Sequence, residues 1–248
     1  MSFIKKLNYL IHNKKIEKAI KRLRRFPRDE TKIKILKKVP FISMPRPKCV
    51  LDSCGCPETS FTWVSHEYQY VWYETPKCAS VSLKSMLPDI NLAVVPSRVR
   101  RLDDYTRFGV VRNPWAKMVS NYTMFVVEDH QYGWANDQIE RLFEMPRDEI
   151  SFERFIELAR RRPNHHWEEC YEFFPKLPDG SIDLDYIVRL ENFAEDMRVI
   201  ESKVGMSLDI EHRHKTDHNT YREYYSKETK KQVQKMFEND IDHFGYVY

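Results

Sequence analysis

The chain has little glycine and lacks a glycine-rich nucleotide loop. Six of its 248 residues are glycine, and the pattern G-x-x-x-x-G-K-[ST] of triphosphate-binding loops does not occur. Thirteen prolines and so few glycines leave no long flexible linker of low complexity, and no internal repeat is present. Because hydrophobic residues make up 42% of the chain, we expect one globular core rather than an array or a disordered chain.

Long apolar runs are missing too. No stretch approaches the roughly 20 apolar residues that a transmembrane helix needs. Lys5, Lys6 and Asn8 stand where a secretory signal would have its apolar segment. Five cysteines is an odd number, and a chain of this size does not need disulfides to fold. We therefore expect a cytoplasmic protein with reduced thiols.

Positive charge is concentrated at the N-terminus. The formal net charge is +4, but residues 1–38 hold 14 Lys and Arg against 3 Asp and Glu, which leaves residues 39–248 at −7. Apolar residues recur there at helical spacing up to Pro27. We predict a basic amphipathic helical arm, residues 1–38, followed by a single domain, residues 39–248.

The arm has two readings. In the first, the arm packs on the acidic body of its own chain. In the second, residues 1–26 lie on a membrane or another anionic surface. Nucleic acid is not an expected partner, because no stacking aromatics are interleaved with the basic residues.

Strand and helix patterns alternate along the domain. This alternation predicts an α/β fold with a mainly parallel sheet flanked by helices, and ligands bind beyond the carboxyl ends of strands in such sheets. The predicted strands are residues 68–73, 91–95, 108–111 and 185–190, and the predicted helices are residues 80–87, 152–159, 194–204 and 227–244 with one more that starts at Pro114.

The first strand-to-helix junction, residues 75–84, has the chemistry of an anion-binding loop. A helix N-terminus offers free backbone N–H groups, small side chains let the backbone approach an anion, and two hydroxyls can donate. Lys77 can place its ammonium beside a leaving phosphate. Taken alone, the segment also fits a surface turn that opens a helix. The candidate anion-binding residues are Pro76, Lys77, Cys78, Ala79, Ser80, Val81 and Ser82.

The second junction, residues 110–122, carries a candidate phosphate fork. Arg112 leaves an apolar strand, Pro114 starts a helix, and Ser120 returns to the same side about two turns later. Arg112 can bind a phosphate through two N–H groups, and Ser120 can add a hydroxyl. A salt-bridged strand end with an ordinary mid-helix serine is the alternative.

The two junctions, with Lys77 and Arg112 35 residues apart, resemble the 5'-phosphosulfate loop and the 3'-phosphate site of sulfotransferases that use 3'-phosphoadenosine 5'-phosphosulfate (PAPS). The likeness is closest to the carbohydrate sulfotransferase branch (family 2), in its soluble bacterial type. Residues 186–193 and 218–225 are similar to its R-L-E segment and its C-terminal region. The resemblance covers about residues 68–248. The loop reads Lys-Cys-Ala-Ser where many relatives have Gly, Thr or Val.

The resemblance implies a P-loop-like sulfotransferase fold, PAPS as the donor, no metal, and a glycan or glycolipid hydroxyl as the acceptor. It adds Tyr221 and Arg222 to the donor-binding residues and makes Lys77 the stabiliser of the leaving phosphate. Trp134 and Trp167 could stack on sugar faces, although aromatic residues are more often part of a core.

A general base is expected in the segment that holds His165 and His166. Carboxylates, Glu168 and Glu169, follow within a few residues, and the usual histidine pKa of about 6.5 suits proton abstraction. Related enzymes are similar in having a histidine there with a tryptophan nearby. We favour His166 over His165. In the alternative interpretation both are solvated loop histidines.

Two further clusters do not complete a metal site. His212, His214 and His218 lack a matching set of cysteines or carboxylates, and three cysteines (Cys49, Cys54 and Cys56) lack a fourth ligand at the usual spacing. Two other functions stay open: a nucleotide-dependent kinase of related fold, and a non-catalytic protein that binds anionic surfaces through its basic arm.

Overall fold

The computed structural model describes residues 44–45, 59–60, 62–93, 104–128, 134–210 and 220–248. The predicted basic arm, residues 1–38, lies outside the described residues. So do the histidines at 212, 214 and 218 and the cysteines at 49, 54 and 56. The predictions about them, including the division into arm and domain, stay predictions.

A five-stranded sheet forms the centre of the described part. Its strand order is β5-β3-β4-β6-β7. Strands β4, β6 and β7 are parallel to one another, and β3 is antiparallel to both β4 and β5, so four of the five strands run in one direction. The predicted mainly parallel sheet is therefore confirmed. The strands are β3 Thr62–Ser65, β4 Tyr70–Tyr73, β5 Asn91–Ala93, β6 Thr106–Val111 and β7 Tyr186–Arg189, with a separate antiparallel pair of β1 Met44–Pro45 and β2 Thr59–Ser60.

Helices flank this sheet. They are α1 Ser80–Met86, α2 Pro114–Tyr122, α3 Trp134–Phe143, α4 Phe152–Arg161, α5 Phe193–Val204, α6 Lys227–Met236 and α7 Glu238–Phe244. A π-helical segment, Thr123–Val127, continues α2. Short 3-10 turns occupy Arg147–Glu149, Cys170–Phe173, Leu190–Asn192 and Thr220–Tyr224.

The prediction of one helix over residues 227–244 is wrong. The chain leaves helical geometry at Phe237, with φ −127° and ψ 38°, and α7 starts anew. The carboxylate of Glu169 accepts hydrogen bonds from the backbone N–H groups of Asn239 (2.7 Å) and Asp240 (3.3 Å). A break is needed because only a helix start has such N–H groups free.

The helix that leaves β6 starts as its sequence predicts. The Asn113 side chain accepts from the backbone N–H groups of Trp115 (3.0 Å) and Ala116 (3.2 Å), and Pro114 fills the first helical position, where no N–H is needed. This cap fixes the direction of α2 immediately after Arg112.

The core is densest around the two central strands. All four residues of β4 are buried, and Phe108, Val110 and Val111 of β6 are fully enclosed. Both strands are buried on both faces, which is why their sequences are apolar without alternation.

We predict that Gly109→Ala destabilises the domain by about 2–3 kcal/mol, because the core around β6 has no room for a methyl group. A Cβ at Gly109 would lie 2.2 Å from Cε1 and 2.5 Å from Cζ of the Phe174 ring. Urea unfolding measures the change. Gly205→Ala is the control: it has φ +65° but no atom within 4 Å of an added Cβ, so backbone strain alone should cost about 1 kcal/mol. Equal losses in the two variants would contradict the steric explanation.

Candidate active site

The candidate site lies where two neighbouring parallel strands end. The loop that starts at Thr75 follows β4, Arg112 follows β6, and the two strands are paired side by side. Both junctions therefore lie at the same edge of the sheet, where ligands of such folds bind.

The loop holds an unusual backbone without glycine. Lys77 (φ 64°) and Ala79 (φ 58°) both lie in the left-handed region, which is uncommon for residues with side chains. The Thr75 hydroxyl donates to the carbonyl of Val110 in β6, and the Ser80 hydroxyl donates to the Thr75 carbonyl at 2.9 Å. In this structure the Ser80 hydroxyl, a predicted donor to an anion, is engaged within the loop.

Arg112 lies against this loop. Its side chain is buried, with 5% exposed, and Nη1 donates to the Lys77 carbonyl at 3.2 Å. It makes no ion pair with any of the described residues. Its Nε has no hydrogen-bond partner in that part of the chain. A buried N–H without an acceptor costs free energy, and a bound anion would recover that cost.

Lys77 brings a second cation to the same place. Its Nζ lies 3.3 Å from the Met124 thioether, and no carboxylate of the described ranges is within ion-pair distance. Burial, together with the charge of Arg112, lowers the pKa of Lys77 to about 8, although Glu128 acts in the opposite direction. Two crowded cations that share no carboxylate among the described residues favour a bound anion.

His166 is held at the same site by its own backbone. Its N–H donates to Asn164 Oδ1 at 3.0 Å, its carbonyl accepts from Asn121 Nδ2 at 3.0 Å, and its ring packs edge-on against Phe125 at 5.0 Å. The His165 ring lies 4.0 Å from the His166 ring, centroid to centroid. Both histidines are at least half-buried, so they are not solvated loop residues.

The electrostatic surroundings keep His166 neutral. Burial lowers its pKa well below the usual value, and the charges of His165, Lys77 and Lys117 add to the effect. A neutral imidazole at pH 7 can accept a proton. Consecutive residues of the π-helical segment join the two candidates, because Met124 contacts Lys77 and Phe125 contacts His166.

Two neighbours of His166 along the chain are engaged in other contacts. Glu169, three residues further on, caps α7. Trp167 is buried, with its ring 5.6–6.0 Å from the rings of Phe125, Phe143 and Phe155. Its position is that of a core residue, the more common of the two roles considered for it. The side chain of Trp134 is outside the described set.

Helix α2 holds the histidine segment through two buried side chains that the sequence analysis missed. Lys117 Nζ donates to the Glu168 carbonyl at 2.5 Å, and Asn121 Nδ2 donates to the carbonyls of Lys117 (3.1 Å) and His166. Both side chains have no exposed surface. Their spacing of four residues puts them on one helix face, but a lysine in a sequence ordinarily signals a solvated face.

The C-terminal residues close the Arg112 side of the site. Glu191 accepts from the backbone N–H of Asn113 at 2.7 Å and from the Tyr246 hydroxyl at 3.1 Å. Asn113 Nδ2 also donates to the Val247 carbonyl at 3.2 Å. Asn113 could have been found from the sequence, since Asn-Pro before a helix is a cap signal.

The remaining predicted donor-binding residues differ in how closely they join this arrangement. Tyr221 is buried beside Asn113, with which its hydroxyl interacts, and exposed Arg222 lies with its guanidinium 4.9 Å from the Tyr221 ring. Ser120 is half-buried in α2, and its hydroxyl makes no hydrogen bond within the described residues. Val81 is 82% exposed and Ser82 is half-buried, both in the first turn of α1. Pro76 is half-buried in the loop.

The described residues hold no group of three or more His, Cys, Asp or Glu side chains arranged for a metal ion. No helix among them is both long and apolar enough to cross a membrane.

Comparison with known proteins identifies the family. The family model of sulfotransferase family 2, described as the sulfotransferase family, matches residues 60–247. These residues are more than half of the chain. The chain therefore belongs to the sulfotransferase family, and its α/β architecture agrees with the sulfotransferase fold. No curated protein matches it. No solved structure matches it either.

We predict that one lysine of this protein titrates near pH 8. Carbon-13 labelling at lysine Cε and NMR titration would detect it, because ordinary lysines titrate at about 10.4. Lys77→Arg should remove that resonance and so assign it. Arg112→Met should move the midpoint upward, because one of the two causes of the low pKa is the neighbouring positive charge. An unchanged midpoint in Arg112→Met would show that burial alone sets the pKa of Lys77.

Proposed function

We propose that this chain transfers a sulfuryl group from PAPS to a hydroxyl of a carbohydrate acceptor, a glycan or a glycolipid. The observation that supports PAPS as the donor is the pair of cations at this loop: Lys77 belongs to it, and Arg112 donates a hydrogen bond to its backbone. The buried Nε of Arg112 has no hydrogen-bond partner among the described residues. PAPS supplies an activated sulfuryl group on its 5'-phosphate and carries a second phosphate at its 3' position. Family membership supports sulfuryl transfer over phosphoryl transfer.

The residues of the two junctions divide the donor between them in this proposal. The loop from Pro76 to Ser82 binds the 5'-phosphosulfate through the free N–H groups at the start of α1 and through the Lys77 ammonium. Arg112 binds the 3'-phosphate, with Ser120, Tyr221 and Arg222 as further contacts. A guanidinium suits a phosphate because its planar N–H groups match two oxygens.

Lys77 then stabilises the charge that develops on the leaving phosphate. At pH 7 it is mostly protonated, since its pKa is about 8, and a nearby anion raises that pKa further. A desolvated ammonium interacts with a phosphate more strongly than one in water does. The low pKa of Lys77 in the free protein therefore reflects the same desolvated environment that makes its ammonium effective.

His166 takes the proton from the acceptor hydroxyl. Its imidazole is neutral at pH 7, and its backbone is fixed on both sides, by Asn164 at the N–H and by Asn121 at the carbonyl. Positioning of this kind contributes as much to rate as the proton transfer itself. The His165 ring lies tilted against the His166 ring and lowers the pKa of His166, so we assign His165 as a neighbour of the base rather than the base.

We predict that the reduced protein binds 3'-phosphoadenosine 5'-phosphate without Mg²⁺ and does not bind ATP comparably. Isothermal calorimetry with both ligands, with and without Mg²⁺, separates the sulfotransferase from a kinase of related fold. Arg112→Lys should weaken bisphosphate binding about 10- to 100-fold, since it keeps the charge and loses the planar fork. Arg198→Lys is the matched control, because Arg198 is exposed on α5. ATP binding that depends on Mg²⁺, with no bisphosphate binding, would sink the proposal.

We predict that His166→Asn lowers kcat by about 10²–10⁴-fold, whereas His165→Asn changes it only a few-fold. Transfer from labelled PAPS to a panel of glycans measures both, and calorimetry checks that donor binding survives in each variant. The wild-type rate should fall only when the pH drops well below 6.5, because the neutral, active form of His166 persists down to its lowered pKa. A large loss in His165→Asn alone would reverse the assignment. A panel in which no glycan accepts would refute the carbohydrate acceptor.

A further inference from the structure

Two buried thiols meet beneath the donor loop. Cys78 lies in the loop between Lys77 and Ala79, and Cys170 opens the 3-10 turn Cys170–Phe173, four residues after His166. Neither side chain has exposed surface, both are free cysteines, and their Sγ atoms are 3.8 Å apart. A disulfide needs about 2.05 Å, so the two sulfurs are within reach of each other after a small shift.

A buried cation shares their pocket. Lys117 Nζ lies 3.5 Å from Cys170 Sγ and has no exposed surface. Although burial opposes its charge, Cys170 and Cys78 keep the pKa of Lys117 above its usual value. The buried carboxylate of Asp240 accepts from the backbone N–H groups of Cys170 (2.8 Å) and Tyr171 (2.7 Å). A cation beside a thiol favours the thiolate, the form of cysteine that reacts.

The two thiols are not equivalent. Burial opposes ionisation of Cys78, but the hydrogen bond with Cys170 and the charge of Lys117 lower the pKa of Cys78. The hydrogen bond to Cys78 and burial raise the pKa of Cys170 well above its usual value. The two sulfurs share one hydrogen bond in which either atom can donate, so the thiols lose their protons as a coupled pair. We assign the attack on the oxidant to Cys78, because it belongs to the loop.

We propose that Cys78 and Cys170 form a redox modification site: a peroxide oxidises the pair to a disulfide, and the disulfide disables donor binding by the loop. The geometry that carries this is the placement of one sulfur inside the donor loop and the other 3.8 Å away on the histidine segment. Only the effect on the donor rests on the proposed function. The disulfide itself does not.

The chemistry balances with hydrogen peroxide as the oxidant. The Cys78 thiolate attacks one peroxide oxygen, the O–O bond breaks, and the departing hydroxide takes a proton to form water, which leaves a sulfenic acid on Cys78. Cys170 gives up its proton and attacks the Cys78 sulfur. The S–S bond forms, the S–O bond breaks, and hydroxide leaves with that proton as a second water. Two electrons pass from the sulfurs to the peroxide, and an external dithiol reverses the change.

The disulfide would move the part of the loop that binds the donor. Closing the sulfurs from 3.8 Å to about 2.05 Å requires a shift of roughly 1.8 Å, shared between the loop and the histidine segment. The loop has little freedom to absorb it, because left-handed residues flank Cys78 and Arg112 holds the Lys77 carbonyl. A misplacement of about 1 Å can cost 10²-fold in rate.

Peroxide treatment of the full-length reduced protein tests the proposal. The protein is quenched, alkylated in denaturant and digested without reductant. Mass spectrometry should find the Cys78 peptide linked to the Cys170 peptide, in preference to links with Cys49, Cys54 or Cys56. Calorimetry should show affinity for 3'-phosphoadenosine 5'-phosphate falling at least tenfold and returning after dithiothreitol. Saturating bisphosphate should slow the oxidation, because it covers the loop.

Cys170→Ser is the matched control. This variant keeps a hydroxyl beside Cys78 but cannot close the disulfide. After peroxide treatment it should therefore still bind the bisphosphate, and a dimedone-reactive sulfenic acid should appear on Cys78. Cys170→Ala repeats the test without a hydroxyl beside Cys78. Full alkylation of both cysteines after peroxide treatment would overturn the site. A Cys78–Cys170 link that leaves bisphosphate affinity unchanged would overturn the switch. Failure of the reduced wild type to bind bisphosphate would refute the proposed function, while peptide mapping would still decide the disulfide.

Discussion

The hydrogen bond from the buried Arg112 guanidinium to the Lys77 carbonyl is the contact on which the rest of the site depends. It requires that the ends of β4 and β6 lie side by side, which their parallel pairing provides. It also supports a loop whose residues 77 and 79 adopt left-handed backbone without glycine, a conformation that costs free energy unless the surroundings fix it. The second tie, from Thr75 to the Val110 carbonyl, joins the same two strands. The loop is thus shaped by the neighbouring strand rather than by its own sequence.

Helix α2 extends this arrangement from the donor side to the proposed base. It begins at Pro114, directly after the Asn113 cap. Lys117 and Asn121, four and eight residues after that cap, hold the carbonyls of Glu168 and His166. Because a helix is rigid over this distance, the position of Arg112 and the position of His166 are set together. Burial of Lys117 is tolerated because its ammonium has the Glu168 carbonyl, the Cys170 sulfur and two aromatic rings as partners.

The sequence predicted those features that are local. The strand–loop–helix junctions at Lys77 and Arg112 follow from apolar runs, a proline and a polar cap within a few residues of one another. The features it missed depend on distant partners. Strand β3 has only two apolar residues and exists because β4 and β5 pair with it on either side. The break at Phe237 interrupts a continuous helical pattern. It frees the Asn239 N–H to donate to the carboxylate of Glu169, 70 residues earlier in the chain. No local pattern indicates that Lys117 is buried.

One positive field contributes to three unusual ionisations. Burial is the largest cause of the lowered pKa values of Lys77 and His166, and the hydrogen bond with Cys170 is the largest cause that lowers the pKa of Cys78. The charges of Lys77, Arg112 and Lys117 add to these effects. A bound anion would oppose that field, so it would raise all three pKa values at once. Lys77 would then hold its proton more firmly, His166 would become a stronger base, and Cys78 would be less often a thiolate. Donor binding would thereby strengthen both groups that the proposed reaction uses and, in the same step, protect the thiol whose oxidation would disable the loop.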